Sequence, residues 1–380
     1  MANAGLSDTA VYVVADGLSE GFGHSGGGVG TGGAASHMVT LVRGLLDLGL
    51  ARVVIITDIP FEFPGVTVRA EWPGSQIPSL GVLVKRLRRR LLWLEYRGRA
   101  QAKVALYAQV LDYAHLAAAK KMGVATISMV NGNAIVDETL INKSTERVQR
   151  MLRLLPEVDA IFVLNHQMVR DVSRRFQRVA HLIPSGVYPA PPTVFGLERE
   201  YALWVGRPEP LKRPWAFIEI ARRMPDRKFV MVLRSHPAYL EAIDFLRHEA
   251  RELGNVEFAI DVPAPQMCEY YARAVALVST SGSEGLPRTW LEAGAAGTEV
   301  LSFELDVDGM LSGGDWGYCA GGAWSVLDER LEDLFATSGG GPAHSDAVRR
   351  HVAATYSVED MVNAFAEAVA EVSSRRDSKK

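Results

Sequence analysis

Cysteine is almost missing: Cys268 and Cys319 are the only two in 380 residues. That count excludes a disulfide framework and leads us to expect a reducing, cytoplasmic setting. Long hydrophobic runs are also missing. No stretch reaches the ~20 apolar residues that span a bilayer, and the opening MANAGLSDTAVYVVADG lacks a basic segment followed by an apolar one, so any membrane contact is expected to be peripheral. Neither sign of charge prevails, since 41 Lys+Arg against 44 Asp+Glu leave −3. A globally basic nucleic-acid binder is thereby excluded, and nucleic acid is not an expected partner. No His or Cys cluster has zinc spacing, and no solenoid-length repeat is present. What remains is a chain with 48% hydrophobic residues. It is too long for one core, which predicts two domains of roughly 150 to 200 residues.

Apolar runs of strand length alternate with helical patterns: VYVVA, RVVIIT, KVALYA, ATISMV and AIFVL in the first half, then YALWV, KFVMVL, VEFAI, AVALVST and EVLSF. The alternation predicts βαβ units around parallel sheets buried on both faces. IPSGVYPAPPTVFGLERE, with four prolines and two glycines, interrupts it. The expected division is a first Rossmann-like domain over 1–185, a linker over 186–199, a second domain over 200–350, a C-terminal helix over 351–372 and a polar tail over 373–380.

The loop EGFGHSGGGVGTGGAAS follows the first strand and precedes a helical pattern, so its backbone N–H groups suit an anion. Gly28, Gly30 and Gly33 satisfy G-x-G-x-x-G, with Asp58 at the end of the next strand, which is the dinucleotide fingerprint. Asp16 to Gly27 nevertheless intervene between the strand and the motif, so the tight turn that requires the first glycine is absent. A plain glycine-rich surface loop is the alternative.

In the second half several polar residues fall just past strand ends, the edge where open parallel sheets bind ligands. Arg207 follows YALWVG, Lys212 comes five residues later, Arg234 closes the next strand, and Glu284 follows AVALVST. Pro287 suits the first turn of a helix whose positive end faces the same edge. Arg207 and Lys212 can neutralise a diphosphate, and Glu292 can accept hydrogen bonds from a ribose diol. Each charge taken singly could also be a solvated surface residue.

Glu284 and Glu292 in SEGLPRTWLEAGAAG, together with VGRPEPLKRP and IPSGV, resemble the signature of retaining glycosyltransferases of family 4. The resemblance spans essentially the whole chain. It implies the GT-B fold: two Rossmann-like, doubly wound parallel-sheet domains facing a cleft, with the last helix crossing back to the N-terminal domain. It further implies a nucleotide-sugar donor, a UDP- or GDP-sugar, on the C-terminal domain, a hydroxyl acceptor on the N-terminal one, and no metal or other cofactor. Arg207, Lys212, Glu284 and Asn131 would then be catalytic. Gly32, Gly33, Arg234, Gly285, Leu286, Arg288 and Glu292 would join the donor site, Leu286 and Arg288 through their amides. His24, Tyr107 and Gln109 would lie on the acceptor side.

Departures from the family pattern are visible. Asn131 in ISMVNGN stands where many members have histidine, and Asn can hydrogen-bond a sugar hydroxyl but cannot act as acid or base. Tyr107 and Gln109 replace frequent histidines, and Pro287 removes an amide donor. Asp306 and Asp308 imitate a D-x-D metal motif but read as turn residues, and His166, His181 and His236 read as structural. Segment 83–97 is a basic amphipathic helix, with Leu83, Leu87, Leu91 and Leu94 opposite Lys85, Arg86, Arg88, Arg89 and Arg90. It suits anionic lipid, a lipid-linked or charged acceptor, or solvent alone. Two rivals remain: an NAD-dependent oxidoreductase using the Gly28–Gly33 loop, and a catalytically inactive GT-B-like binding module, which Asn131 favours.

Overall fold

A computed structural model describes residues 9–14, 33–57, 63–70, 102–107, 111, 113–133 and 146–377. Expectations for His24, Gly28, Gly30, Gly32, Asp58, Gln109 and the basic helix 83–97 lie outside the described residues. Those described divide into two compact units, one running to Gly186 and resuming at Val358, the other Val187–Ser357.

The first unit is built on a parallel sheet of β1 (Thr9–Val14), β2 (Arg52–Thr57), β3 (Thr67–Ala70), β4 (Ala102–Tyr107), β5 (Ala125–Val130), β6 (Ala160–Val163) and β7 (Ala180–Leu182). Their spatial order is β3-β2-β1-β4-β5-β6-β7. Every residue of β1 and β5 is buried, because helices cover both faces of such a sheet and no solvated face is left for polar alternation. The helices are α1 (Gly33–Asp47), α2 (Tyr113–Lys121), α3 (Glu146–Leu154) and α4 (His166–Phe176). Asn165 starts α4 by accepting the Met168 N–H at 2.7 Å, and Gln177 ends it in the left-handed region at φ 53°.

The second unit repeats the plan with β8 (Tyr201–Gly206), β9 (Phe229–Leu233), β10 (Val256–Ile260), β11 (Ala274–Ser279), β12 (Glu299–Ser302) and β13 (Gly317–Cys319), all parallel, in the order β10-β9-β8-β11-β12-β13. Around them lie α5 (Pro214–Arg223), α6 (Leu240–Leu253), α7 (Ala264–Ala272), α8 (Arg288–Ala295), α9 (Trp324–Ala336) and α10 (Gly341–Thr355). The period-two alternation of a strand divides the core. Tyr201 and Leu203 join Tyr271, Trp290 and Trp316 on one face, while Ala202 and Trp204 join Phe217, Phe229 and Leu331 on the other. In both units the winding reverses, between β1 and β4 and between β8 and β11. Each therefore opens a crevice at the carboxyl ends of those strands.

The last helix, α11 (Val358–Asp377), belongs to the first unit and packs on α1. Gly44 makes the approach possible: a Cβ there would sit 2.6 Å from methyl carbons of both Val358 and Val362. Phe365 stacks edge-on against Phe162 with centroids 5.7 Å apart.

Three sequence expectations change. The stretch 186–199 is no slack linker, because Val187, Ala190 and Val194 enter the core of the second unit. Arg199 locks it further by donating to the Ala274 carbonyl, Thr298 Oγ1 at 2.7 Å, the Gly297 carbonyl at 2.7 Å and Ser345 Oγ at 3.2 Å. Burial pulls the pKa of Arg199 down to about 10, so it remains a cation at neutral pH. The helix expected over 351–372 is broken at Tyr356 and Ser357 between α10 and α11, and α11 continues through Asp377 into the expected tail. Finally, β3, β7 and β13 carry no long apolar run, and all three are edge strands.

Candidate functional site

The crevice of the second unit collects the charged residues that the sequence placed past its strand ends. Arg207 follows β8, Arg234 follows the paired β9 with its N–H donating to the Gly206 carbonyl at 3.0 Å, and the loop after β11 carries Glu284. Packing around Gly206 is close. A Cβ there would stand 3.0 Å from Lys212 Cδ and 3.1 Å from the Trp204 ring, so a side chain at 206 would have to push the lysine stem or the indole aside by a few tenths of an ångström.

Thr280, fully buried, ties the two loops together. Its Oγ1 accepts from the Trp204 indole at 3.0 Å and donates to the Lys212 carbonyl at 2.6 Å, with the Arg213 carbonyl 3.0 Å away. Gly282 N–H donates to the Leu211 carbonyl at 2.8 Å, and a Cβ on Gly282 would meet the Arg213 guanidinium at 2.7 Å. Arg213, in the left-handed region at φ 46°, then turns the chain into α5, which begins with Pro214.

This scaffold sets two ion pairs. Lys212 Nζ is 2.6 Å from Glu284 Oε1, the side chains being 24% and 17% exposed. Ser281 Oγ donates to the same oxygen at 2.8 Å. Arg207 Nε lies 2.6 Å from Glu209 Oε1. Ion pairs this close to water contribute about 0 to 1 kcal/mol each, so stability does not explain them. Their effect is to hold two cations and two carboxylates at one edge.

Helix α8 forms the far side. Pro287 occupies its cap, one position before the first turn expected for it. Gly285 is buried and Leu286 packs against the core. Arg288 does more than present an amide: its side chain is 8% exposed, with Nη2 3.9 Å from Glu292 Oε1. Glu292 Oε2 accepts from the hydroxyl of Tyr271 on α7 at 2.9 Å. Burial, then the Glu292 charge, pushes the Tyr271 hydroxyl well above its ordinary pKa. Burial lowers that of Arg288, with Glu292 and Tyr271 acting in opposition. Tyr271, Ser281 and Thr280 escaped the sequence reading. Ser281 and Thr280 could have been found from their place after β11, whereas nothing in the spacing links Tyr271 to Glu292.

In the first unit, Gly33 opens α1, Tyr107 ends β4 and Asn131 follows β5. Tyr107 was expected on the acceptor side, but its side chain is fully buried and belongs to the core. Asn131 is half-buried at the carboxyl edge. Ser185 of IPSGV is occupied by a buried pair, its Oγ 2.9 Å from His37 Nδ1. His236 caps a short 3₁₀ turn by accepting the Ala238 N–H, and His181 faces Glu371 at 3.5 Å. Asp306 accepts the Leu311 N–H at 2.9 Å and the Ser312 hydroxyl, which is the turn reading. Among the described residues no three His, Cys, Asp or Glu side chains gather in a metal-binding group, and no helix is long and apolar enough to cross a membrane.

With this geometry in view, residues 192–309 match the model of the family described as Glycosyl transferases group 1, a span that contains every expected residue of the second crevice. No curated protein matches the chain. Among solved structures, sucrose-phosphate synthase from Thermosynechococcus elongatus is similar at a TM-score of 0.71 and 15% identity, covering 98% of this chain and 100% of that one. HepE from Anabaena, solved with UDP and glucose, has a TM-score of 0.68 at 14% identity, covering 96% and 99%. WaaG, a glycosyltransferase involved in lipopolysaccharide biosynthesis, has 0.65 at 15%, covering 95% and 99%. At such identities the likeness establishes the fold. The chain has the GT-B fold of two parallel-sheet α/β units, and its residues 192–309 match the Glycosyl transferases group 1 family.

Proposed function

We propose that this protein is a retaining glycosyltransferase that moves a sugar from a UDP- or GDP-linked donor to a hydroxyl acceptor in polysaccharide, glycolipid or natural-product synthesis. The observation that carries the reading is the gathering of Arg207, Arg234, Lys212, Glu284 and the start of α8 at one switch-point edge. The family match over 192–309 supports it, as does the UDP bound by HepE.

The donor diphosphate displaces Glu284 as the partner of Lys212, and Arg207 meets its other oxygens. As the bond from the sugar C1 to the diphosphate oxygen breaks, negative charge grows on the departing group, where the two cations are already aimed. The acceptor oxygen bonds to C1 from the same face, and its proton passes to the departing phosphate oxygen, so the configuration is retained without an enzyme nucleophile. Glu284, released from Lys212, accepts from sugar hydroxyls, and Glu292 holds the ribose. Asn131 can offer a hydrogen bond but no proton transfer. Side chains and the positive end of α8 supply the charge that a metal supplies in other transferases.

A thermal-shift panel with UDP, GDP, ADP, dTDP and NAD on the parent and on Arg207→Ala tests the reading, because a ligand of the native state raises the melting temperature. Stabilisation by one nucleoside diphosphate, lost in the variant, is the expected result. Stabilisation by NAD alone would overturn it. With the donor known, NMR of the first-formed product reads the anomeric configuration, and an inverted centre would end the retaining assignment.

A further inference from the structure

Resting on that reading, we infer that Tyr271 and Arg288 are positioning residues that orient the Glu292 carboxylate toward a vicinal diol, so that the site selects ribonucleotides over 2′-deoxyribonucleotides. Glu292 takes a hydrogen bond on one oxygen and faces a buried guanidinium with the other. Tyr271 donates to Oε2 at 2.9 Å from α7, and Arg288 Nη2 stands 3.9 Å from Oε1 on α8. Both partners are buried, Tyr271 at 2% and Arg288 at 8% exposure, whereas the Glu292 side chain is 31% exposed. The carboxylate is thus held from the core side and presented on the other.

An ionised carboxylate has about four lone-pair sites. The tyrosine hydroxyl occupies one and the guanidinium lies toward another oxygen, so each oxygen retains acceptor capacity on the exposed side. Two acceptors on one rigid group match two adjacent hydroxyls and leave one oxygen idle against a deoxyribose. A freely rotating glutamate would adapt to one hydroxyl and discriminate less. The raised pKa of Tyr271 agrees with this arrangement, because the phenol stays protonated and remains a donor.

The test compares binding of UDP with 2′-deoxy-UDP, and of GDP with 2′-deoxy-GDP, by calorimetry on the full chain. In the parent the ribonucleotide of the preferred base should bind about ten-fold or more tightly, the worth of a hydrogen bond to a charged group. Tyr271→Phe, which keeps the ring volume, should reduce that ratio to about two- or three-fold by weakening ribonucleotide binding while leaving the deoxyribonucleotide nearly unchanged. Arg288→Gln provides a second variant should Tyr271→Phe fail to fold, and Glu292→Gln should likewise shrink the ratio. A parent ratio near one, or an unchanged ratio in a folded Tyr271→Phe or Arg288→Gln protein, would overturn this inference and leave the donor site standing. Failure of every nucleoside diphosphate to bind would overturn the donor site itself, and this inference with it.

Discussion

The Lys212 ammonium stands 2.6 Å from Glu284 Oε1, and Ser281 donates to the same oxygen at 2.8 Å. The two residues lie 72 positions apart, on loops that follow the two switch-point strands. A lysine paired in this way is pre-aimed, and its carboxylate retains Ser281 when the lysine changes partner. Under the proposed function, the donor diphosphate takes the place of Glu284 on an already positioned cation.

That exchange separates activity from stability. Lys212→Ala should lower sugar transfer by about 100-fold or more, the effect of deleting one preorganised donor to developing charge. The same change should alter unfolding free energy by about 1 kcal/mol or less. Initial rates and a denaturant titration on the same preparation check both, and a large stability loss with normal turnover would contradict the assignment.

Thr280→Val tests the stitch between the loops. The shape is nearly kept, but the buried Trp204 N–H and Lys212 carbonyl both lose their partner, a cost of about 1 to 3 kcal/mol. The melting temperature should fall, and donor KM should rise because Lys212 is no longer held by its own backbone.

Gly44→Ala tests the docking of α11. The added methyl group meets Val358 and Val362 at 2.6 Å, and overpacking of that kind costs about 1 to 3 kcal/mol. Trimming the opposing residue, as in Val362→Ala, should restore part of the loss in the double variant, whereas additive losses would exclude direct contact.

His181 should make the first unit sensitive to acid. Burial holds its imidazole below the ordinary value, with Arg375 acting in the same sense and Glu371 against them. The folded state thus favours the neutral ring. Its contribution is complete above about pH 6.5 and is lost as pH falls through the lowered folded value. The drop in melting temperature on going from about pH 7.5 to about pH 5 should be smaller in His181→Gln than in the parent. Equal drops would show that other groups govern it.

Much of the fold was legible because a parallel sheet buried on both faces demands continuous apolar strands, and ten such runs stand out in the chain. The edge strands β3, β7 and β13 did not, since half-covered segments of three or four residues need no apolar run. The second crevice was legible for a related reason: a charged residue directly after a buried strand has nowhere to lie but the sheet edge, which placed Arg207 and Arg234, and Glu284 lies in the short loop that leaves β11 at the same edge.

Sequence alone therefore determined the two parallel-sheet units and which charges would reach the edge of the second, because burial and chain direction are local properties. Tertiary structure decided the pairing. It matched Lys212 to Glu284, set Tyr271 against Glu292, drew 186–199 into a core and buried Tyr107 where an acceptor contact was expected. Each of these depends on distances between segments remote in sequence, and only the packing of whole elements sets those distances.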